Sequence, residues 1–347
     1  MKKFLAIMLS LMLLTGLFPC AGVAESKPLT VVTTIFPIYD WARQIIGENG
    51  NTNLVLLLDN GVDLHSYQPS AQDIMTISTA DLFIYVGGES DEWVEDVLES
   101  AMNPDLVAIS LTEAMGEDLK EEEIVEGMQH DHDHDHEDED HDHDEDHDED
   151  HDHDHDEDHD HDHEHEHEDE YDEHVWLSLR NARKLTVAIA EALAGIDAAN
   201  ADAIRENAAA YDAQLQELDA KYTETVENAA LKTVLFGDRF PFRYMTDDYG
   251  LTYYAAFTGC SAESEASFET IAFLAGKADE LNLPAVLTIE GGNHKIADTV
   301  ISASAKADRK VLTMNSMQSV TADDVKNGMT YLSMMEENLN VLKEALN

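Results

Sequence analysis

Residues 200–229 read NADAIRENAAAYDAQLQELDAKYTETVENA, and this stretch decides the architecture of the chain. Apolar side chains recur in it at steps of three and four: Ile204, Ala208, Tyr211, Leu215, Leu218, Tyr222 and Val226. This spacing is typical of an amphipathic α-helix. At 1.5 Å per residue, roughly 30 residues form a helix about 45 Å long, which is enough to connect two lobes stiffly. Packing as one more helix of a bundle is the alternative.

Short apolar runs alternate with helical patterns on both sides of this segment. The strand-like runs lie at 29–34, 54–58, 82–86, 106–109, 233–236, 252–257, 285–289 and 310–314. Helices are predicted at 40–47, 71–78, 93–102, 178–194, 268–280, 295–305 and 324–345. Such alternation is typical of parallel sheets that are covered by helices on both faces. We therefore predict an α/β protein with two similar parallel-sheet lobes, at 28–198 and 230–347, joined by one long connecting helix at 199–229.

The beginning of the chain is typical of an export signal. Two lysines precede an apolar run from Phe4 to Phe18, and small residues follow it. The run is too short to span a membrane, so we predict a signal peptide at 1–24 and an exported protein. It would lie in the periplasm or at the extracellular face of the cell membrane. Cys20 leaves two alternatives open: lipid attachment to this cysteine, as in lipoproteins, or simple cleavage after Ala24.

The negative charge is concentrated in one tract. The chain has 74 Asp and Glu against 20 Lys and Arg, and 15 His with 26 acids fill residues 130–170 without interruption. Such a surface repels phosphates, so nucleic acids are excluded as partners. Imidazoles and carboxylates bind divalent cations, and a segment without apolar residues cannot form a core. We predict a disordered, metal-gathering loop; an acidic spacer is the alternative, but it leaves the histidines unexplained.

A formal HExxH motif occurs within this tract, at residues 163–167. A zinc hydrolase needs that motif on a folded helix that faces a dry cleft. In a stretch of His, Asp and Glu alone the match is expected by chance. We therefore predict that the protein is not an enzyme.

Only three histidines lie outside the tract, and two of them follow a suggestive pattern. His65 lies in GVDLHSYQP at 61–69, directly after the second strand, and His174 lies in DEHVWLS, where a helix begins. In open α/β sheets, ligands bind beyond the carboxyl ends of the strands. We predict that His65 and His174 are metal ligands.

At these residues the chain resembles a known family. The motifs are TTIFPIYDWARQI at 33–45, GVDLHSYQPSAQDI at 61–74, ADLFIYVGGESDEW at 80–93, EHVWLSL at 173–179 and NGMTYLSMMEENLNVLKEAL at 327–346. They are similar to the zinc-binding solute-binding proteins of ABC importers, the ZnuA-like group, which also has manganese-binding relatives. The resemblance implies two lobes joined by one helix, with the metal in the cleft between them. It also implies a monomeric receptor that captures Zn²⁺ outside the cell and delivers it to an ABC permease.

The resemblance also implies a set of ligands, which this chain matches only in part. His65 stands at the first ligand position of the family and His174 at the second. The third ligand precedes an F-x-Y motif; Phe242–Tyr244 sets the register and places Arg239 there. The fourth position falls at Asn315. Arginine does not lose its proton to bind a metal and asparagine is a weak ligand, so the C-terminal lobe departs from the family pattern.

Three residues of the C-terminal lobe are candidates to replace the missing ligands. They are His294, Glu290 and Cys260, whose side chains all suit zinc. Cys260 is alternatively a small buried residue, and Glu290 is alternatively a helix N-terminal acid or an ion-pair partner of Arg239. The metal is predicted to be Zn²⁺, with Mn²⁺, Ni²⁺ and copper left open. An extracellular metal buffer that acts through the His-rich loop is the alternative function.

Overall fold

The structure is a computed structural model that describes residues 27–48, 51–129, 171–261, 265–291 and 293–347. The predicted signal peptide with Cys20 and the predicted His-rich loop at 130–170 lie outside the described residues. Of the helices in the described ranges, none combines the length and the apolar character that crossing a membrane requires.

The N-terminal lobe is built on four parallel strands: β1 Leu29–Thr33, β2 Thr52–Leu56, β3 Leu82–Tyr85 and β4 Val107–Ser110. Their spatial order is β2-β1-β3-β4. The helices of this lobe are α1 Phe36–Ile46, α2 Ala71–Ser78, α3 Trp93–Glu99, α4 Leu111–Met115 and α5 Leu179–Ile196. The central strands are buried on both faces, as expected of a parallel sheet, which is why they were recognisable as unbroken apolar runs.

The connecting helix is α6, Ala201–Asn228, and it buries the seven residues of the predicted apolar stripe. Its 28 residues extend about 42 Å at 1.5 Å per residue. Near its start, Asn207 donates a hydrogen bond to the Ile45 carbonyl of the N-terminal lobe at 3.1 Å. Near its end, the Tyr222 hydroxyl donates to the Met335 carbonyl of the C-terminal lobe at 2.7 Å. The helix therefore connects the lobes and is also packed along both of them.

The C-terminal lobe repeats the first one. Its parallel strands are β5 Thr233–Phe240, β6 Thr252–Thr258, β7 Ala285–Ile289 and β8 Lys310–Met314. Their order is β6-β5-β7-β8, the same as in the first sheet. Its helices are α7 Arg243–Tyr249, α8 Phe268–Glu280, α9 Lys295–Ala303, α10 Ala322–Lys326 and α11 Tyr331–Ala345. The predicted fold class, two similar parallel-sheet α/β lobes joined by a long helix, is confirmed.

Some element boundaries differ from the prediction. The single helix predicted at 324–345 is wrong, because the chain forms α10 and α11 with a break between them. Gly328 has φ of 91° there, which ends a right-handed helix, and Thr330 caps the next one by accepting a hydrogen bond from the Ser333 amide. Strand β5 continues past the predicted end at 236, with an irregular register towards β6 between Phe236 and Arg239. The extension places Arg239 near the carboxyl end of β5, where it pairs with Phe257 of β6 and lines the cleft.

Candidate metal centre

His65, His174 and Cys260 meet between the lobes. One ligand atom from each lies within 4.8 Å of the other two, and no other group of this kind occurs within the described ranges. The Nε2 atoms of His65 and His174 are 3.2 Å apart. His65 comes from the loop after β2, His174 from the segment before α5, and Cys260 from the loop after β6. Two imidazoles and a thiol are a donor set that suits zinc.

His65 is held with its Nε2 atom towards the cluster. It lies in a 3₁₀ turn, Leu64–Ser66, and its backbone amide donates to Asp63 Oδ1 at 3.1 Å. Its other ring nitrogen, Nδ1, is 2.7 Å from the Ser90 hydroxyl. Burial, followed by the nearby His174, lowers the pKa of His65 to about 3. The ring is therefore neutral at ordinary pH, which is the form that binds a metal.

His174 is fully buried and is oriented by a carboxylate. Its Nδ1 atom and its backbone amide are both 2.9 Å from Asp172 Oδ1, so that Nδ1–H donates and Nε2 keeps its lone pair for a metal. The C-terminal lobe holds this segment on both sides. The Tyr244 hydroxyl donates to the Asp172 carbonyl at 2.9 Å, and Trp176 Nε1 donates to the Ser316 carbonyl at 2.8 Å.

Cys260 is a free thiol in the loop that follows β6. Its backbone amide donates to Glu122 Oε1 at 3.1 Å. Burial, together with the nearby Glu122, Asp172 and Glu173 carboxylates, raises the pKa of this thiol. A metal would have to displace its proton, because the ligand is the thiolate. Gly259 allows the loop to approach His174, since a Cβ atom at Gly259 would lie 2.9 Å from His174 Cε1.

The residues at the third and fourth family positions make structural contacts. Arg239 Nη2 donates to Asp63 Oδ2 at 2.7 Å, across the cleft. Burial by itself would raise the pKa of Asp63, but the charge and hydrogen bond of Arg239, together with the interactions with His65, keep this pKa below its usual value. Asn315 Oδ1 accepts a hydrogen bond from the Met317 backbone amide, and the backbone amide of Asn315 donates one to Asn338 Oδ1, both at 2.8 Å. Both side chains are thus bound to other protein groups, and the departure from the family's set of ligands stays a prediction.

Glu290 lies near the cleft but is engaged elsewhere. Its carboxylate accepts hydrogen bonds from the Ser316 amide at 2.6 Å, the Ser316 hydroxyl at 2.7 Å and the Gln318 amide at 3.3 Å. The alternative that Glu290 is the ion-pair partner of Arg239 is wrong, because that guanidinium binds Asp63. The structure does not bring Glu290 into the cluster, and its role as a ligand stays a prediction.

His294 is also separate from the cluster. It is the residue directly before α9 and has the left-handed conformation, with φ of 54°, but its side chain makes no capping hydrogen bond to the helix. It lines a cavity of about 590 Å³ that His65 and Arg239 also line. Its ring Nδ1 makes no hydrogen bond within the described ranges. Its role as a ligand likewise stays a prediction.

The residues that orient the three candidate ligands were not predicted from the sequence. Two of them had a local signal: Asp63 and Asp172 each stand two residues before a histidine and accept its backbone amide. This D-x-H arrangement is an Asx turn and is recognisable in a sequence. Ser90 and Glu122 come from distant segments, and no pattern in the sequence points to them.

Residues 31–345 match the model of a protein family described as ZnuA, zinc-uptake complex component A, periplasmic. The chain belongs to this family. Zinc-binding lipoprotein AdcA of Streptococcus pneumoniae is 30% identical over 349 residues, which covers 99% of this chain and 61% of that protein. The chain thus spans about three fifths of the length of this relative. High-affinity zinc uptake system protein ZnuA of Bacillus subtilis is 29% identical, with 94% of this chain and 90% of that protein covered.

Solved structures show the same architecture. The Zn(II)-bound ZnuA-like domain of Streptococcus pneumoniae AdcA is similar with a TM-score of 0.65 at 26% identity, over 92% of this chain and 99% of that one. The metal-dependent lipoprotein YcdH of Bacillus subtilis gives a TM-score of 0.67, also at 26% identity and with 92% and 99% coverage. The family predicted from the motifs is confirmed.

Proposed function

We propose that the protein is an exported receptor that binds one Zn²⁺ between its lobes and delivers it to an ABC permease. The observation that carries this proposal is the cluster of His65, His174 and Cys260, whose ligand atoms lie within 4.8 Å of one another. Membership in the ZnuA family and the names of the relatives support zinc as the cargo. The leader at 1–24 supports export, with Cys20 as the residue that a lipid anchor would use.

The donor set favours zinc over harder cations. Two neutral imidazoles and a thiolate are preferred by zinc, whereas manganese prefers carboxylates and water. Three protein ligands leave one position of a tetrahedral zinc ion for water or another donor. Cys260 belongs to the C-terminal lobe and His65 to the N-terminal lobe, so the ion ties the lobes together. Release would then require a small change in the cleft when the permease docks, because α6 is packed against both lobes.

Substitution of the three ligands tests the site. His65→Ala, His174→Ala and Cys260→Ser are each expected to weaken tight zinc binding by more than about 100-fold, because lost outer contacts to ligands already cost 10 to 100-fold. Chelator competition with metal quantification by mass spectrometry gives the affinity. His294→Ala is the matched control and is expected to keep the affinity of the parent. An equal loss in His294→Ala and none in Cys260→Ser would reject Cys260 as the ligand from the C-terminal lobe.

Deletion of residues 130–170 separates a receptor from a metal buffer. The 15 histidines of this tract favour weak binding of several ions, so a buffer would lose nearly all of its zinc on deletion. A receptor is expected to keep one tight equivalent of zinc. A deletion variant without any stoichiometric zinc would contradict the proposed function.

A further inference from the structure

Arg239 reaches across the cleft to the loop that carries His65. Its side chain is 17% exposed and that of Asp63 is 20% exposed, and their ion pair closes at 2.7 Å. Arg239 comes from the end of β5 in the C-terminal lobe, whereas Asp63 comes from the loop after β2 in the N-terminal lobe. The contact is therefore an ion pair between the lobes, largely shielded from water.

The two carboxylate oxygens of Asp63 bind different partners. Oδ2 binds the Arg239 guanidinium, while Oδ1 accepts the backbone amide of His65 at 3.1 Å. The earlier part of the same loop is tied to the other lobe by its backbone, since the Gly61 amide donates to the Val320 carbonyl at 3.3 Å. The Asp63 carboxylate adds a second connection between the C-terminal lobe and this loop, at the turn that contains His65. A shift of Arg239 would thus be transmitted to His65 through one carboxylate.

The pair also has an electrostatic consequence. A guanidinium is always charged, and a cation near a zinc site opposes binding unless it is neutralised. The Asp63 carboxylate neutralises the positive charge of Arg239 through their direct ion pair. Removal of Asp63 alone would leave an unpaired, partly buried positive charge beside the cluster, while removal of Arg239 alone would leave a carboxylate that attracts the ion.

We propose that Arg239 is a positioning residue for zinc capture: through Asp63 it holds the His65 turn in place, and the paired charges keep the cleft from repelling the ion. The proposal deepens the proposed function and rests on it, because His65 has to bind zinc for its position to matter. Arg239 therefore contributes to the site without being a ligand, although it stands where the family resemblance expects one.

A site-specific signal is available in the full-length chain. The tract at 130–170 contains no cysteine, and Cys20 and Cys260 are the only two in the sequence. In a Cys20→Ser background, a thiolate-to-cobalt charge-transfer band reports Co²⁺ bound at Cys260 alone, and its loss on adding zinc gives the zinc affinity. The variants are Arg239→Met, Arg239→Lys, Asp63→Asn and the double variant Asp63→Asn with Arg239→Met. Asn at position 63 still offers an oxygen to the His65 amide.

The proposal predicts a specific order of affinities. Arg239→Met is expected to weaken zinc binding about 10-fold, because the loss of the positioning contact outweighs the attraction of the freed Asp63 carboxylate. Asp63→Asn is expected to weaken it about 100-fold, and both losses lie within the range for outer contacts of metal ligands. The double variant is expected to bind more tightly than Asp63→Asn alone, and Arg239→Lys to bind within about threefold of the parent, since lysine keeps the charge. If the ion pair contributed only to the stability of the fold, neither the tighter binding of the double variant nor the near-parental affinity of Arg239→Lys would be expected. The unfolding temperature of each metal-free variant is therefore measured in parallel.

The controls distinguish a failure of the positioning role from a failure of the proposed function. Arg183→Met breaks the Arg183–Asp212 ion pair, which closes at 2.6 Å between α5 and α6, and it is expected to leave zinc affinity unchanged. Zinc affinities in Arg239→Met and Asp63→Asn equal to that of the parent would overturn the positioning role alone. A double variant no tighter than Asp63→Asn would overturn it as well. A parent chain without any charge-transfer band would overturn the proposed function, and the positioning role with it.

Discussion

At the scale of single residues, the candidate site depends on how closely its three donors can approach one another. The backbone amides of His65 and His174 are each held by an aspartate two residues earlier. Asp172 also orients the His174 ring, whereas the His65 ring is held by Ser90 from a distant segment. Cys260 is different, because nothing local aims it at the histidines. It reaches them because the residue before it has no side chain, and the loop can therefore lie against the His174 ring.

Gly259→Ala tests this close approach. An added Cβ atom would lie 2.9 Å from His174 Cε1 and 3.1 Å from the Phe240 carbonyl oxygen, so the loop or the ring must move. We expect zinc affinity to fall about 10-fold or more, since misplaced ligands lose as much as missing outer contacts do. Chelator competition measures the loss.

Gly276→Ala is the matched control for that substitution. Gly276 lies within α8, and a Cβ atom there would meet nothing within 4 Å. Alanine is favoured over glycine inside a helix by about 1 kcal/mol, so this variant should be slightly more stable and bind zinc like the parent. Unchanged zinc affinity in Gly259→Ala would show that the loop accommodates a Cβ atom at this position, and it would contradict the need for a glycine there.

At the scale of elements, the turn after β3 supports the site by contacting the Nδ1 side of the His65 ring. The 3₁₀ turn Glu89–Asp91 places Ser90 against His65 Nδ1. Asp91 holds this turn, since its Oδ2 accepts the Val86 amide at 2.9 Å and the Gly87 amide at 3.0 Å. Asp91 is 3% exposed. Burial raises the pKa of its carboxyl to about 7, so it carries a proton in mildly acidic solution.

The raised pKa of Asp91 predicts a dependence of stability on pH. The folded protein holds this proton up to about pH 7 and the unfolded chain only to about 3.8, so the contribution of Asp91 is full below pH 4 and lost as pH rises through 7. Asp91→Asn keeps an oxygen for both amides but does not titrate. Its free energy of unfolding relative to the parent is expected to rise by on the order of 4 kcal/mol between pH 4 and pH 8.

Urea denaturation of the metal-free proteins at several pH values measures this difference. Asp96→Asn, at an exposed position of α3, controls for the loss of one negative charge. A difference between Asp91→Asn and the parent that stays flat over this range would mean that Asp91 ionises as it does in the unfolded chain.

At the scale of the whole molecule, the two lobes share one hydrophobic core. The cluster of buried side chains runs from Val31 and Val32 in β1, through Tyr211 and Leu215 in α6, to Leu342 in α11. A second cluster, around Leu274, belongs to the C-terminal lobe. Because α6 contributes one continuous stripe to the shared core, we expect the lobes to unfold together.

Leu342→Ala tests this coupling from the far end of the core. Leu342 is fully buried, and its truncation is expected to cost about 2–5 kcal/mol. All three tryptophans, Trp41, Trp93 and Trp176, lie on the N-terminal side of α6, so their fluorescence reports that lobe. The urea midpoint from fluorescence should therefore fall as much as the midpoint from circular dichroism.

The exposed Lys343→Ala on the same helix is the control and should leave both midpoints in place. A fluorescence midpoint that stays unchanged in Leu342→Ala, while circular dichroism resolves two steps, would contradict the shared core.

Most of the fold was predictable because buried parallel strands are visible as apolar runs. Each of the eight predicted strands is present, and the boundaries shift by only a few residues except at β5. The short helices α4 and α7 were missed, because five or seven residues are too few to establish a helical period. The break at Gly328 was missed because the pattern on both sides of it is helical.

The sequence was enough to predict the family, the two-lobe α/β class and His65 and His174 as candidate ligands, because these depend on periodicity and on motifs within a few residues. The tertiary structure was needed to identify which C-terminal candidate meets those histidines. It brings Cys260 to them, commits Glu290 to the loop after β8 and pairs Arg239 with Asp63. The physical reason is that a metal site depends on distances between side chains far apart in the chain, which no local pattern encodes.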